Sequence, residues 1–177
     1  VHAGIYERFV EAVQRRTAAL RQGVPHRPGV FDVGAITSPA QLQIIDTLVQ
    51  DAIARGARAL VGGRRGEGPG LFYPPTILVD VTPDMRIARE EVFGPVMLIF
   101  KVADDAEAIR LANDSAFGLQ SCVFTRDRAR GERIAAALQA GGTCINDFGL
   151  CYLAQDLPFG GIKASGYGRM NGRDGLR

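Results

Sequence analysis

Apolar positions fall into two rhythms along the chain. At the start, Ile5, Tyr6, Phe9, Val13 and Leu20 recur at three- and four-residue spacing among Arg and Glu, which predicts a helix ended by Gly23-Val24-Pro25. A Pro- and Gly-rich connection follows over 24–38. Ser38-Pro39-Ala40-Gln41 then reads as a helix start, with Ser at the cap, Pro at the first helical position and Gln three residues after the cap. Leu42, Ile45, Val49, Ala52 and Ile53 form its apolar stripe, and Gly56 marks its stop. Beyond it the rhythm shortens. Residues 59–61 predict a short strand, 75–81 an extended segment and 96–102 an apolar strand.

The second half alternates more regularly. Asp104 and Glu107 open a helix carrying Ala108, Ile109 and Ala112, and residues 121–125 predict a strand. A helix with Ile134, Ala137 and Leu138 runs to Gly141, and residues 143–146 predict another strand. Strand–helix–strand–helix–strand with short links implies parallel strands and right-handed crossovers. The fold class is therefore α/β, a parallel, doubly wound sheet flanked by helices. From 147 to 157 the pattern breaks: Phe148, Leu150, Tyr152, Leu153 and Leu157 are apolar at neither helical nor alternating spacing. A loop leaving the C-terminal end of a parallel strand is where open α/β sheets place ligands. Phe148 and Tyr152 are thus candidate substrate-side residues, with a loop tucked onto the core as the alternative.

Composition narrows the classes. With 177 residues, 46% hydrophobic and 23% charged, the chain has ordinary globular make-up for about one domain. The net charge is +2, and of 21 basic residues only Lys101 and Lys163 are lysines, the arginines being scattered. That gives nucleic-acid binding no support. No apolar run is long enough to span a bilayer, so no membrane segment is expected in this chain. Cys122, Cys144 and Cys151 are odd in number and lack CxxC spacing, which argues against a disulfide framework and a metal site and for a reducing, cytoplasmic setting. The glycine-rich stretch 62–70 lacks the Gly-Lys-Ser/Thr ending of a phosphate loop, and no amphipathic helix follows it. It reads as a hairpin connection.

Two motifs carry the chemistry. Glu90-Glu91-Val92-Phe93-Gly94-Pro95 sets paired carboxylates beside a ring on a backbone that Gly and Pro fix. Such a carboxylate and ring suit a ribose and a flat heterocycle, although a charged loop before a strand explains the stretch on its own. The second motif is Pro158-Phe159-Gly160-Gly161-Ile162-Lys163-Ala164-Ser165-Gly166-Tyr167-Gly168-Arg169. In this order, and with Asn113-Asp114-Ser115, Gly118-Leu119, Val123-Phe124-Thr125, Leu138-Gln139-Ala140-Gly141 and Asn146 between them, the motifs resemble the aldehyde dehydrogenase superfamily over essentially the whole chain.

The resemblance implies an NAD(P)-dependent aldehyde dehydrogenase, oxidising an aldehyde to a carboxylic acid through a cysteine thiohemiacetal and thioester. It implies NAD or NADP as cofactor, with Glu91 on the nicotinamide ribose and Phe93 near the nicotinamide. Phe159 matches an aromatic residue of the substrate tunnel, and Asn146 an Asn shaping its floor. Lys163 and Arg169 match structural positions. The family's nucleophile, general base, oxyanion Asn and cofactor-binding domain match nothing in residues 1–177, which are expected to be a partial catalytic domain, inactive alone. The resemblance implies a homodimer or homotetramer for the parent, whose missing N-terminal domain would be this chain's partner. Cys144 stands where many members carry Trp, and the apolar 147–157 loop points to an uncharged aldehyde. A non-catalytic scaffold of the same fold is the alternative, and Cys151 as a nucleophile in its own right is a third reading.

Overall fold

The computed structural model describes residues 1–24, 31–173 and 175. Pro25 and part of the predicted connection after it, His26 included, lie outside the described residues. The chain folds as two units, Val1–Val102 and Ala103–Arg177, each compact in itself.

In the first unit, a short 3-10 turn leads into α1 (Tyr6–Ala18), and α2 (Pro39–Ala54) starts where the Ser38 hydroxyl caps the Gln41 N–H at 3.2 Å. Strands β1 (Arg58–Val61), β2 (Thr76–Val79) and β3 (Val96–Leu98) form a sheet in that order, β1 antiparallel and β3 parallel to β2. All four β2 residues are buried, as expected of a central strand covered on both faces. Ile77 and Val79 pack with Tyr6 of α1, while Leu78 packs with Leu42, Ile45, Leu48 and Val49 of α2. The glycine-rich stretch 62–70 lies in the connection between β1 and β2, as a hairpin reading requires. At Gly62, with φ of 65°, a Cβ would come within 2.4 Å of the Thr76 hydroxyl.

Three expectations are corrected here. The α1 stripe is not Ile5, Phe9 and Leu20, all exposed; the packed face is Tyr6, Val10 and Val13, one turn apart along the side that meets β2. The strand expected over 96–102 is cut at Leu98, because the chain then changes partner: Val102 bridges His2 in parallel, with the Ala3 N–H donating to the Val102 carbonyl at 2.7 Å. The Gln41 side chain does not close a capping box; its amide reaches the carbonyls of Val92 and Phe93 instead.

In the second unit, α3 (Asp105–Asn113) is capped by Asp104, whose carboxylate accepts from the Glu107 N–H at 2.8 Å, and α4 (Arg128–Ala137) is capped by Asp127. Strands β5 (Gln120–Val123) and β6 (Gly142–Ile145) pair in parallel across the α4 crossover. Gly131 lets α4 approach them: a Cβ there would lie 3.0 Å from Thr125 and 3.2 Å from Ile145. β4 (Phe117–Gly118) pairs antiparallel with β7 (Ile162–Lys163). The aperiodic 147–157 stretch contains one helical turn, α5 (Leu150–Leu153), which the spacing did not predict. Asp147 nucleates it, its Oδ1 accepting from the N–H groups of Gly149 and Leu150, both at 2.7 Å. The result is α/β with helix-flanked parallel strands, as expected, but the parallel pairs are β2–β3 and β5–β6 in separate sheets, so β3 and β5 are not the sheet neighbours that the alternation implied. No helix among the described residues is long and apolar enough to cross a membrane.

Candidate functional site

The first cluster belongs to the unit Val1–Val102. A second short 3-10 turn, Arg86–Ala88, delivers the chain to Glu90 and Glu91, which behave differently. The Arg86 guanidinium forms a bidentate pair with Glu90, at 2.7 and 3.0 Å, and its hydrogen bonds hold that carboxyl below the usual range. Glu91 is exposed, and among the described residues no hydrogen bond or ion pair involves its carboxylate. One acid is anchored and its neighbour is open to a ligand.

Phe93 sits at φ of 46° with its side chain 74% exposed. A bulky residue in the left-handed region is uncommon and costs about 1–2 kcal/mol, so surrounding contacts must enforce it. They come from α2. The Gln41 amide nitrogen donates to the Val92 carbonyl at 2.8 Å and to the Phe93 carbonyl at 3.4 Å. Gly94 presses on the same helix, where a Cβ would meet Ile45 Cδ1 at 2.5 Å. On the far side the Pro95 carbonyl accepts from the Thr76 N–H at 2.8 Å. Gln41 is a residue that sequence reasoning assigned to helix capping. Its position three residues after the cap suited that role equally well, so nothing in the local pattern separates the two.

The second cluster belongs to the unit Ala103–Arg177. Asn146, with φ of 57°, follows β6 and spends both ends of its amide on Thr125: Oδ1 accepts from the Thr125 N–H and Nδ2 donates to its carbonyl, both at 2.9 Å. The side chain thus continues the β5–β6 ladder by one rung, which ends β5 at Val123 rather than Thr125. Phe148 is 76% exposed, with its carbonyl accepting from the Gln120 side chain. Tyr152 is 57% exposed and meets the Phe159 ring edge-on, centroids 5.3 Å apart. Phe159 is itself held by a bridge to Met170, with 2.7 Å bonds in both directions. Asn146, Phe148, Tyr152 and Phe159 therefore share one unit, while Glu91 and Phe93 lie in the other.

Lys163 and Arg169 prove structural in their contacts. The Lys163 ammonium donates to the carbonyls of Asn113 and Ser115 at 2.8 and 3.1 Å, and Arg169 donates to those of Gly161 and Gly168 at 2.9 and 2.7 Å. Cys151 is half-buried rather than exposed, and burial with the neighbouring Cys144 pushes its thiol up to about 11. Burial of this kind disfavours the thiolate at neutral pH, so the third reading gains no support from the structure. No group of three or more His, Cys, Asp or Glu suited to a metal occurs among the described residues.

The family model described as "Aldehyde dehydrogenase family" matches residues 1–177. Succinate-semialdehyde dehydrogenase (NADP+) 1 of Mycobacterium tuberculosis is 43% identical over 177 residues, covering 100% of this chain and 38% of that protein. The succinate-semialdehyde dehydrogenase (NADP+) of Deinococcus radiodurans is 43% identical over 165 residues, covering 93% of this chain and 34% of its own length. The chain thus spans little more than a third of these curated relatives. Among solved structures, betaine aldehyde dehydrogenase from Staphylococcus aureus in complex with NAD+ superposes with a TM-score of 0.92 at 36% identity, covering 99% of this chain and 35% of that one. A Mycobacterium tuberculosis aldehyde dehydrogenase complexed with NAD+ matches with the same TM-score and identity, over 99% of this chain and 36% of its own.

Proposed function

The chain belongs to the aldehyde dehydrogenase family, and from that premise we propose that the protein carrying it oxidises an aldehyde to its carboxylic acid with NAD or NADP. Residues 1–177 serve it as part of the catalytic domain. The observation that carries the reading is the contrast at Glu90 and Glu91 beside a ring held at positive φ. An exposed carboxylate without a partner among the described residues fits two vicinal hydroxyls, and an exposed ring fits the face of a heterocycle. When bound, the nicotinamide supplies the acceptor for a hydride. Glu91 accepts hydrogen bonds from the ribose hydroxyls and Phe93 limits where the heterocycle lies, while Gln41 holds the backbone at Phe93 and Arg86 anchors the neighbouring Glu90. On the substrate side, Phe148, Tyr152 and Phe159 offer apolar surface, and Asn146, its amide fully engaged, contributes shape.

The substrate we propose is an uncharged, apolar aldehyde. A second reading has its own support: relatives at 43% identity are named succinate-semialdehyde dehydrogenases, whose substrate carries a carboxylate. Their NADP(+) and the NAD+ of the solved structures leave both cofactors in the proposal. We also place the protein in the cytoplasm as a homodimer or homotetramer, on the three free thiols and the family resemblance.

The test compares Glu91→Gln with Glu90→Gln in the protein that carries this chain. Losing one charge-assisted hydrogen bond to a hydroxyl costs ~1.5–3 kcal/mol, so Glu91→Gln should lower cofactor affinity or hydride-transfer rate by roughly one to two decades. Glu90→Gln should do much less. Equal losses in the two variants would remove the assignment.

A further inference from the structure

Three cysteines spread over 122–151 in sequence meet in space. Cys122 and Cys144 are cross-strand partners in the parallel β5–β6 register. Gly142 and Cys144 are two residues apart on β6 and so present the same face. A Cβ built on Gly142 would lie 3.5 Å from the Cys151 sulfur, so the Cys151 thiol rests on the face from which Cys144 projects. The Gln120 side-chain amide approaches the Cys144 sulfur at 4.0 Å while also donating to the Phe148 carbonyl, tying the cluster to the 147–157 segment. All three cysteines are free, Cys144 buried and the other two half-buried. Aldehyde oxidation, as proposed above, uses none of them.

We propose that Cys144 and Cys151 are a site of reversible oxidation, closing to a disulfide with a peroxide as oxidant while Cys122 stays reduced. The partition follows from backbone freedom. Parallel strands hold their registered partners about 4.7–4.9 Å apart with side chains projecting side by side, whereas disulfide Cβ atoms lie near 3.8 Å. The ladder fixes Cys122 and Cys144 at that spacing. Cys151 instead rides on the single turn α5, outside the ladder, and can close on Cys144.

The more accessible thiol, Cys151, ionises and attacks one peroxide oxygen; the O–O bond breaks, hydroxide leaves, and Cys151 becomes a sulfenic acid. The Cys144 sulfur then attacks the Cys151 sulfur, the S–O bond breaks, and with the thiol proton the departing hydroxide becomes water. Both sulfurs are oxidised by one electron each, and the peroxide is reduced to two waters. A dithiol reverses the link and is itself oxidised. Burial and the neighbouring sulfurs make the first step slow at neutral pH and faster as pH rises toward 11. Once formed, the link pins α5 at the residue before Tyr152. On the reading of Tyr152 as substrate-side, it therefore restrains the edge-on Tyr152–Phe159 contact.

The experiment exposes the protein that carries this chain to hydrogen peroxide across pH 7–10, traps remaining thiols with an alkylating reagent, and maps peptides by mass. The expected result is a peptide cross-linked between Cys144 and Cys151, lost with dithiothreitol, with Cys122 alkylated throughout. Its rate of formation should still be rising at the alkaline end. Cys122→Ser should leave the link intact, and Cys151→Ser should abolish it while Cys144 becomes alkylatable. A Cys122–Cys144 link, a link between molecules, or oxidation of Cys151 to sulfinic acid without a link would overturn the proposal. The wild-type map alone decides the pairing, so a Cys151→Ser variant that folds poorly does not blunt the test. Absence of the link in a protein that oxidises aldehydes sinks this inference only; a link in a protein that oxidises none leaves it standing and removes the proposed function.

Discussion

At the scale of single residues, neighbours in sequence sit in different surroundings because one of them has a partner. Arg86 pairs with Glu90 four residues on, while Glu91 beside it is exposed. The Arg86 hydrogen bonds and charge depress the Glu90 pKa below its ordinary 4.5. A depressed carboxyl contributes its stabilisation above the unfolded value and loses it as pH falls through the folded one. The Glu90 carboxyl, followed by NMR, should therefore titrate below 4.5, and Arg86→Ala should move it back up; an unchanged midpoint would show the pair to be inert. Gln41 and Ser38 make a matched contrast. Ser38→Ala removes the cap and should cost about 1 kcal/mol of stability with cofactor affinity little changed. Gln41→Ala removes the amide from the Val92 and Phe93 carbonyls, at ~0.5–1.5 kcal/mol per bond, and should weaken cofactor binding more than it lowers the melting temperature. Thermal unfolding and cofactor titration on both variants separate the two effects.

At the scale of elements, the decisive pieces are short. The α5 turn starts where the Asp147 carboxylate accepts from the Gly149 and Leu150 N–H groups, and it carries Tyr152 and the exposed residues around it. If the 147–157 segment meets the substrate, each buried methylene is worth ~0.8 kcal/mol, and a carboxylate finds no cation among Phe148, Leu150, Tyr152 and Leu153. kcat/KM should rise along unbranched aldehydes and then level off, with succinic semialdehyde poorer than the alkyl aldehyde of equal length. Replacing Phe148 and Tyr152 together by Ala should flatten the rise and spare the smallest aldehydes. A preference for succinic semialdehyde would favour the substrate named for the mycobacterial relative.

At the scale of the whole molecule, residues 1–177 present three thiols, and burial raises the pKa of both Cys122 and Cys151 while Cys144 is buried outright. Purified residues 1–177, assayed with NAD, NADP and a panel of aldehydes, should show no turnover. Turnover lost with Cys151→Ser and kept with Cys122→Ser would reinstate a nucleophile here.

Local chemistry was enough to determine the α/β class, the Ser38 and Asp104 caps, the β1–β2 hairpin through the glycines and the family motifs. Each depends on neighbours within a few residues, where periodicity and capping act. Tertiary contacts decided the rest. Which side of α1 is buried depended on β2, and where β3 ends depended on a new partner at His2. The Gln41 amide had two targets, its own helix end or a loop about fifty residues away, and only the folded chain selects between them. The cysteine cluster was invisible for the same reason: spacing in sequence says nothing of two strands in register with a turn laid across them.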